Sequence, residues 1–242
     1  MTSIKGSVAV VTGGSRGIGR AVVQALYDRG AAKVYATARD PHAVTHPDAV
    51  PLALEITDPR SVEAAATQAP DATLLINNAG GLTGASFLDS PVEEVRREFE
   101  VNFFGPLQVT RAFAPVLQRN GGGHILTVHS VLSWITFPGV EAYSASKAAL
   151  WSQTNALRLA LLPRGIAVTG LHVAYVDTDM AAGVDLPKTS PQTVARLALD
   201  GIEADAHEVL VDDLTRQVKA GLAADLAALY PQIGADRVHG GR

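Results

Sequence analysis

Val8-Ala9-Val10-Val11-Thr12-Gly13-Gly14-Ser15-Arg16-Gly17-Ile18-Gly19 reads as a strand, a glycine turn and the start of a helix. The first four residues are a short apolar run rich in β-branched side chains, the composition of a buried strand. Thr12-Gly13-Gly14 breaks that run. From Ile18 to Arg29 the residues Ile18, Val22, Ala25 and Leu26 recur at helical spacing, and Gly30 stops the helix. In such a unit the glycines let the backbone approach a pyrophosphate, while the helix N-terminus supplies N–H groups and the positive end of a dipole. The spacing of Gly13, Gly17 and Gly19 is G-x-x-x-G-x-G, not the commoner G-x-G-x-x-G. A lone glycine turn is often a loop with no ligand; its place directly after the first strand favours a nucleotide.

Outward from this unit, strands and helices alternate. Further strands are expected at Lys33–Ala36, Leu52–Ile56, Thr73–Ile76, His124–Val128, Ile166–His172 and Glu208–Val211. Helices are expected at Arg60–Gln68 behind the cap Asp58-Pro59, from Ser90-Pro91 to Arg119 with a kink at Gly105-Pro106, and at Tyr143–Leu162, Pro191–Ile202 and Leu214–Ala228. Gly234–Arg242 is expected to be a loose tail. This order predicts an α/β fold: a Rossmann-type doubly wound parallel sheet of about seven strands, with helices on both faces. The 242 residues fit one domain of this kind, spanning 1–242.

Composition excludes several classes. A hydrophobic fraction of 47% with 18% charged residues is not that of a disordered chain. The net charge of −4 gives no positive field for nucleic acid or an anionic membrane. Without cysteine there is no disulfide and no thiolate zinc site. No apolar stretch reaches the roughly 18 residues of a membrane span, and the start has no secretory pattern. A soluble, cytoplasmic protein with no metal is the expectation.

Sheets of this kind bind ligands beyond the carboxyl ends of their strands. The second strand ends Tyr35-Ala36-Thr37-Ala38-Arg39. Thr37 stands where an NAD site would carry an acid, so no carboxylate repels a 2′-phosphate, and the guanidinium forks of Arg39 and Arg16 suit one. Read otherwise, both arginines are ordinary surface charges; NADP(H) is the better expectation. Tyr143 and Lys147 lie four apart and share a helix face. Lowering a tyrosine pKa by roughly 2–3 units takes about 3–4 kcal/mol of preferential phenolate stabilisation. An adjacent ammonium supplies much of that, helped by an oxidised nicotinamide. Ser130, at the end of the fifth strand, can hydrogen-bond the same substrate oxygen. Tyr-x-x-x-Lys alone is weak and is usually a surface pair.

Together, the TGxxxGxG turn, Asn77-Asn78-Ala79-Gly80, Ser130 and Tyr-x-x-x-Lys, in this order, resemble the single-domain branch of the short-chain dehydrogenase/reductase family over residues 5–213. The resemblance implies that Gly13, Ser15, Arg16, Gly17, Ile18 and Gly19 hold the cofactor's pyrophosphate, with Thr37 and Arg39 at its 2′-phosphate. It puts Glu55 and Ile56 by the adenine, where Asp or Asn is commoner than Glu, and Asn78, Ala79 and Gly80 along the cofactor. Val176 and Thr178 would meet the nicotinamide. Tyr143 would exchange the proton, Lys147 would lower its pKa and hold the ribose hydroxyls, and Ser130 would orient the substrate oxygen. Asn102 would support a water-linked proton relay to the lysine.

The implied activity is NADPH-dependent reduction of a hydrophobic ketone or aldehyde. Trp134, Phe137 and Tyr175 would wall the substrate, residues 178–190 would form a short lid, and helices around Phe99–Phe113 and Ala145–Leu159 would build a homodimer or homotetramer. The chain departs from the pattern at Val173-Ala174, which replace Pro-Gly, and at His129, read as a packed residue before the serine. It also departs after Val211-Asp212-Asp213, where a further helix follows. The alternative readings are an NADP(H)-binding sensor, which needs no proton relay, and a sugar-nucleotide epimerase, whose C-terminal substrate domain is missing.

Overall fold

In the computed structural model, which describes residues 2–235, seven strands form one parallel sheet. They are β1 (Val8–Val11), β2 (Lys33–Ala38), β3 (Val50–Ala53), β4 (Leu74–Asn77), β5 (Gly123–Val128), β6 (Ile166–His172) and β7 (Glu208–Leu210), in the spatial order β3-β2-β1-β4-β5-β6-β7. The order reverses between β1 and β4, the crevice where such sheets take their ligands. The strands are continuous apolar runs because both faces are covered. Ala9 and Val11 point into one core with Val22, Val23 and Leu26 of α1 (Gly17–Asp28), while Val10 points into the other with Val62 and Ala65 of α2 (Pro59–Gln68).

The expected long helix from Ser90 is divided into α3 (Val92–Phe99), a π-helical turn (Glu100–Phe104) and α4 (Gly105–Arg119). The break thus precedes the expected kink at Gly105-Pro106. Pro106 has no N–H to give to the carbonyl of Asn102, four residues back, so the helix changes register there. α5 (Glu141–Leu161) and α6 (Pro191–Glu203) match expectation within two residues.

Two other elements differ from the sequence reading. β3 lies two residues earlier than Leu52–Ile56, and includes Pro51; as an edge strand it pairs only with β2 and tolerates a residue without an N–H. The expected helix Leu214–Ala228 is α7 (Asp213–Gly221), followed by short α8 (Leu226–Leu229) and α9 (Pro231–Ala235). Gly221 ends α7, the Asp225 side chain caps α8 by accepting from Ala227 N–H at 2.9 Å, and Tyr230, before a proline, leaves the helical region. Of the expected tail, Gly234 and Ala235 close α9 and residues 236–242 lie outside the described residues. No helix among the described residues is long and apolar enough to cross a membrane.

Candidate active site

The glycine turn and the strand end Asn77–Gly80 are built as one piece. Thr12 Oγ1 accepts from the N–H groups of Asn78 and Ala79, both at 2.9 Å, and donates to Ile76 O at 3.2 Å. Asn78 Nδ2 returns two hydrogen bonds, to Thr12 O at 2.9 Å and Gly13 O at 3.2 Å. Gly13 and Gly17 have φ of +65° and +53°, a region that side chains disfavour. Gly19 is required by space: a Cβ there would lie 2.0 Å from Gly13 O and 2.7 Å from Asn78 Nδ2. No side chain caps α1, so its terminal N–H groups remain available to an anion.

A cleft of about 2160 Å³ runs over this turn. Gly13, Ser15, Arg16, Gly17, Ile18, Arg39, Glu55, Ile56, Asn78, Ala79, Gly80, Val176 and Thr178 line it together with Ser130, Tyr143 and Lys147. Gly19 lies beneath the turn. Thr37, expected at the 2′-phosphate, is 1% exposed and does not line the cleft; its main chain accepts from Gly14 N–H at 2.8 Å. Ala38 and the exposed Arg39 form the rim instead. Arg16 Nη1 pairs with Asp179 Oδ2 at 3.2 Å across the mouth, with both side chains largely in solvent, a contact weak enough to exchange for a phosphate. The segment 178–188 is tied at its base, where Asp177 N–H donates to Thr189 O at 3.0 Å and Thr189 N–H to Tyr175 O at 2.8 Å.

At the inner end, Ser130 caps the turn Val131–Ser133 by accepting from Leu132 N–H at 3.1 Å, leaving its own hydroxyl proton to donate. Lys147 Nζ donates to Val128 O at 3.1 Å and lies 5.7 Å from the centre of the Tyr143 ring. Burial pushes the Lys147 ammonium down to about 8, and the negative charge of Glu98 opposes that shift. The expectation that Lys147 makes Tyr143 acidic needs correcting for the protein's own groups. Burial raises the phenol above its ordinary value; a hydrogen bond with Ser130 works the other way, and the charge of Glu98 adds to the rise. Asn102 is fully buried below Gly80. Its Oδ1 accepts from Gly81 N–H at 3.0 Å, and Nδ2 donates to Gly81 O at 2.9 Å and Glu98 Oε2 at 2.8 Å. Both amide protons are therefore committed. Pro106, four residues on, has no N–H to offer the Asn102 main-chain carbonyl.

Phe137 and Tyr175 line the cleft, with Leu132 and Val140. Trp134 does not. It stacks on His172 at 4.1 Å between ring centroids and meets Trp151 edge-on at 6.1 Å. Lys219 Nζ lies 4.9 Å from the Trp134 centroid, and α7 thus takes the side chain that was expected in the substrate wall. Beyond the turn, Thr136 N–H donates to Tyr230 Oη at 3.1 Å, so the segment after α8 braces the loop that carries Phe137. His129 is buried, stacked 4.7 Å from His172, and held neutral by burial. Gly170 makes the room, since a Cβ there would sit 3.1 Å from the His129 ring. Ala174 N–H donates to Asp212 Oδ2 at 2.8 Å. Sequence reasoning missed Glu98; its place four residues before Asn102, on the same helix face, was the available signal. Among the described residues no group of three His, Cys, Asp or Glu side chains is placed to hold a metal.

The model of the family described as short chain dehydrogenase matches residues 7–188. The chain belongs to the short-chain dehydrogenase family. A short-chain dehydrogenase from Burkholderia cenocepacia, solved in complex with NADP, superposes with a TM-score of 0.90 at 39% identity, covering 95% of this chain and 98% of that one. Carbonyl reductase [NADPH] 2 of Sus scrofa is 33% identical over 199 residues, 80% of each protein. An uncharacterized oxidoreductase, YusZ, of Bacillus subtilis is 36% identical over 174 residues, 66% of this chain; that match spans 61% of the relative's length. As a short-chain dehydrogenase the protein is an oxidoreductase.

Proposed function

We propose that this oxidoreductase is an NADPH-dependent carbonyl reductase that reduces a hydrophobic ketone or aldehyde to its alcohol. The observation that carries the reading is the meeting of Ser130, Tyr143 and Lys147 at the inner end of a cleft whose outer end is the glycine turn. The residues fit the cofactor: the turn has space only for hydrogen at Gly19, and α1 offers uncapped N–H groups. NADP(H) is further supported by the NADP complex of the Burkholderia protein and the NADPH named for the pig reductase. Arg39 and Arg16 stand at the rim where a 2′-phosphate would sit.

NADPH, when bound, supplies the hydride that reaches the carbonyl carbon. The chain supplies the proton and the orientation. Ser130 donates a hydrogen bond to the carbonyl oxygen and polarises it. Tyr143, which burial keeps protonated, transfers its phenolic proton to the same oxygen as charge develops there. A cation near the ring then favours the resulting phenolate, and Lys147 is the chain's own cation at that place. Phe137, Tyr175, Leu132 and Val140 exclude water and favour an apolar substituent. The test is NADPH consumption with a panel of hydrophobic ketones, comparing wild type with Tyr143→Phe. Turnover should fall by at least about 100-fold, the usual contribution of a positioned acid, while NADPH still binds. Undiminished turnover in Tyr143→Phe would overturn the assignment.

A further inference from the structure

Glu98 is a buried carboxylate with no part in the chemistry just described. It closes the last turns of α3 and is 1% exposed. Taking an ionised carboxylate out of water costs several kcal/mol unless donors replace the solvent, and here they do. Oε1 accepts from the main-chain N–H and the hydroxyl of Thr83, the latter at 2.8 Å, and Oε2 accepts from Asn102 Nδ2 at 2.8 Å. One side chain thus joins the loop after β4 to the π turn.

The bond to Nδ2 settles which way round the Asn102 amide sits. Reversed, the amide would turn its oxygen toward both the carboxylate and Gly81 O, with no proton between them. In the observed sense Oδ1 points toward Gly80 and Gly81. A Cβ on Gly80 would lie 3.1 Å from that oxygen and 3.7 Å from Lys147 Nζ, so the amide oxygen and the ammonium flank the same point. The groups facing Lys147 are Tyr143 on its own helix, His129 beyond β5, which is neutral, and Glu98 on α3. Glu98 is the anion of that set, and its charge opposes the effect of burial on the lysine.

We propose that Glu98 is a positioning residue for the reduction: it orients the Asn102 amide and is the buried counter-charge that keeps Lys147 an ammonium at neutral pH. This deepens the reductase reading and rests on it for the catalytic consequence. The counter-charge role is measured separately from turnover. The chain has five lysines, so NMR of the full-length protein labelled with [ε-13C]lysine resolves them, and Lys147→Arg assigns the resonance. The wild-type midpoint is expected near 8. Glu98→Gln should lower it by roughly one unit, and should move the alkaline limb of kcat/KM for NADPH-dependent reduction down by the same amount. An unmoved midpoint in folded Glu98→Gln, or a profile that is scaled down without shifting, overturns the proposal. If Glu98→Gln does not fold, Glu98→Gln/Asn102→Asp is titrated instead; it keeps one buried carboxylate and inverts the hydrogen bond. Because the carboxylate at position 102 would flank the same point as the ammonium, a midpoint at or above that of the wild type supports the counter-charge, and one lowered by about a unit overturns it. A wild type that titrates as expected but reduces no carbonyl would defeat the reductase reading alone.

Discussion

Replacing Gly19 by alanine should damage the protein although Gly19 lies inside α1, where alanine is favoured by about 1 kcal/mol on propensity alone. The added carbon would stand 2.0 Å from the carbonyl oxygen of Gly13, against about 3.3 Å for a close carbon–oxygen contact. The backbone must open by more than about 1 Å. The obstacle is main chain, held by Asn78 Nδ2, so it cannot rotate away as a side chain would. The strain belongs at the upper end of overpacking, about 3 kcal/mol. It can surface as lost stability, or as a relaxed turn that must be re-formed on binding, where the same energy weakens NADPH by roughly 100-fold. Urea unfolding and fluorescence titration with NADPH measure the two shares. Gly14→Ala, whose Cβ would meet Ala36 at 3.0 Å, should fall between Gly19→Ala and Gly183→Ala, which meets nothing within 4 Å. Wild-type stability together with wild-type NADPH affinity in Gly19→Ala would refute the reasoning.

Arg39→Ala should weaken NADPH by roughly 10–100-fold, the worth of a hydrogen bond to a charged group, and leave NADH unchanged; equal losses in parallel titrations would remove the phosphate assignment. His124 gives an acid sensitivity. Burial holds it at about 4 when folded, against the opposing pull of Asp205. Because the folded value lies below the unfolded one, stability is lost as pH falls below about 6.5, by about 2 kcal/mol at pH 5. His124→Gln should remove that part of the slope in urea midpoints taken from pH 7 to 5, and an unchanged slope would contradict it.

Much of the architecture was legible because its signals are local. Short continuous runs such as Val8–Val11 and Thr73–Ile76, bounded by turn residues, read as strands covered on both faces, and the glycine turn between strand and helix fixes where the cleft opens. Boundaries slipped where tertiary context decides. Pro51 hid the start of β3 because its tolerance depends on the strand's being at the edge. Gly221 divided a helix whose apolar spacing continues past it. Within the site, Ser130 follows the end of β5, and Tyr143 and Lys147 share one face of the first turns of α5, so all three meet in one cleft. The direction of a side chain was not legible. Trp134 is next to the right loop yet faces α7, and Thr37 is on the right strand yet faces inward. Spacing predicted an acidified Tyr143; that the surroundings of this half-buried side chain raise the phenol instead depends on the fold.

The sheet order has a consequence for biosynthesis. On a ribosome, β1, β2 and β3 emerge first, and β1 then has a neighbour on one side only. Its other edge must await Leu74–Asn77, so an apolar strand with unsatisfied main-chain groups persists while the intervening residues are made. Nascent chains halted in that interval are prone to clump and to need a chaperone. Synonymous changes that slow translation before residue 74 should therefore lower the soluble yield more than the same changes placed after residue 128.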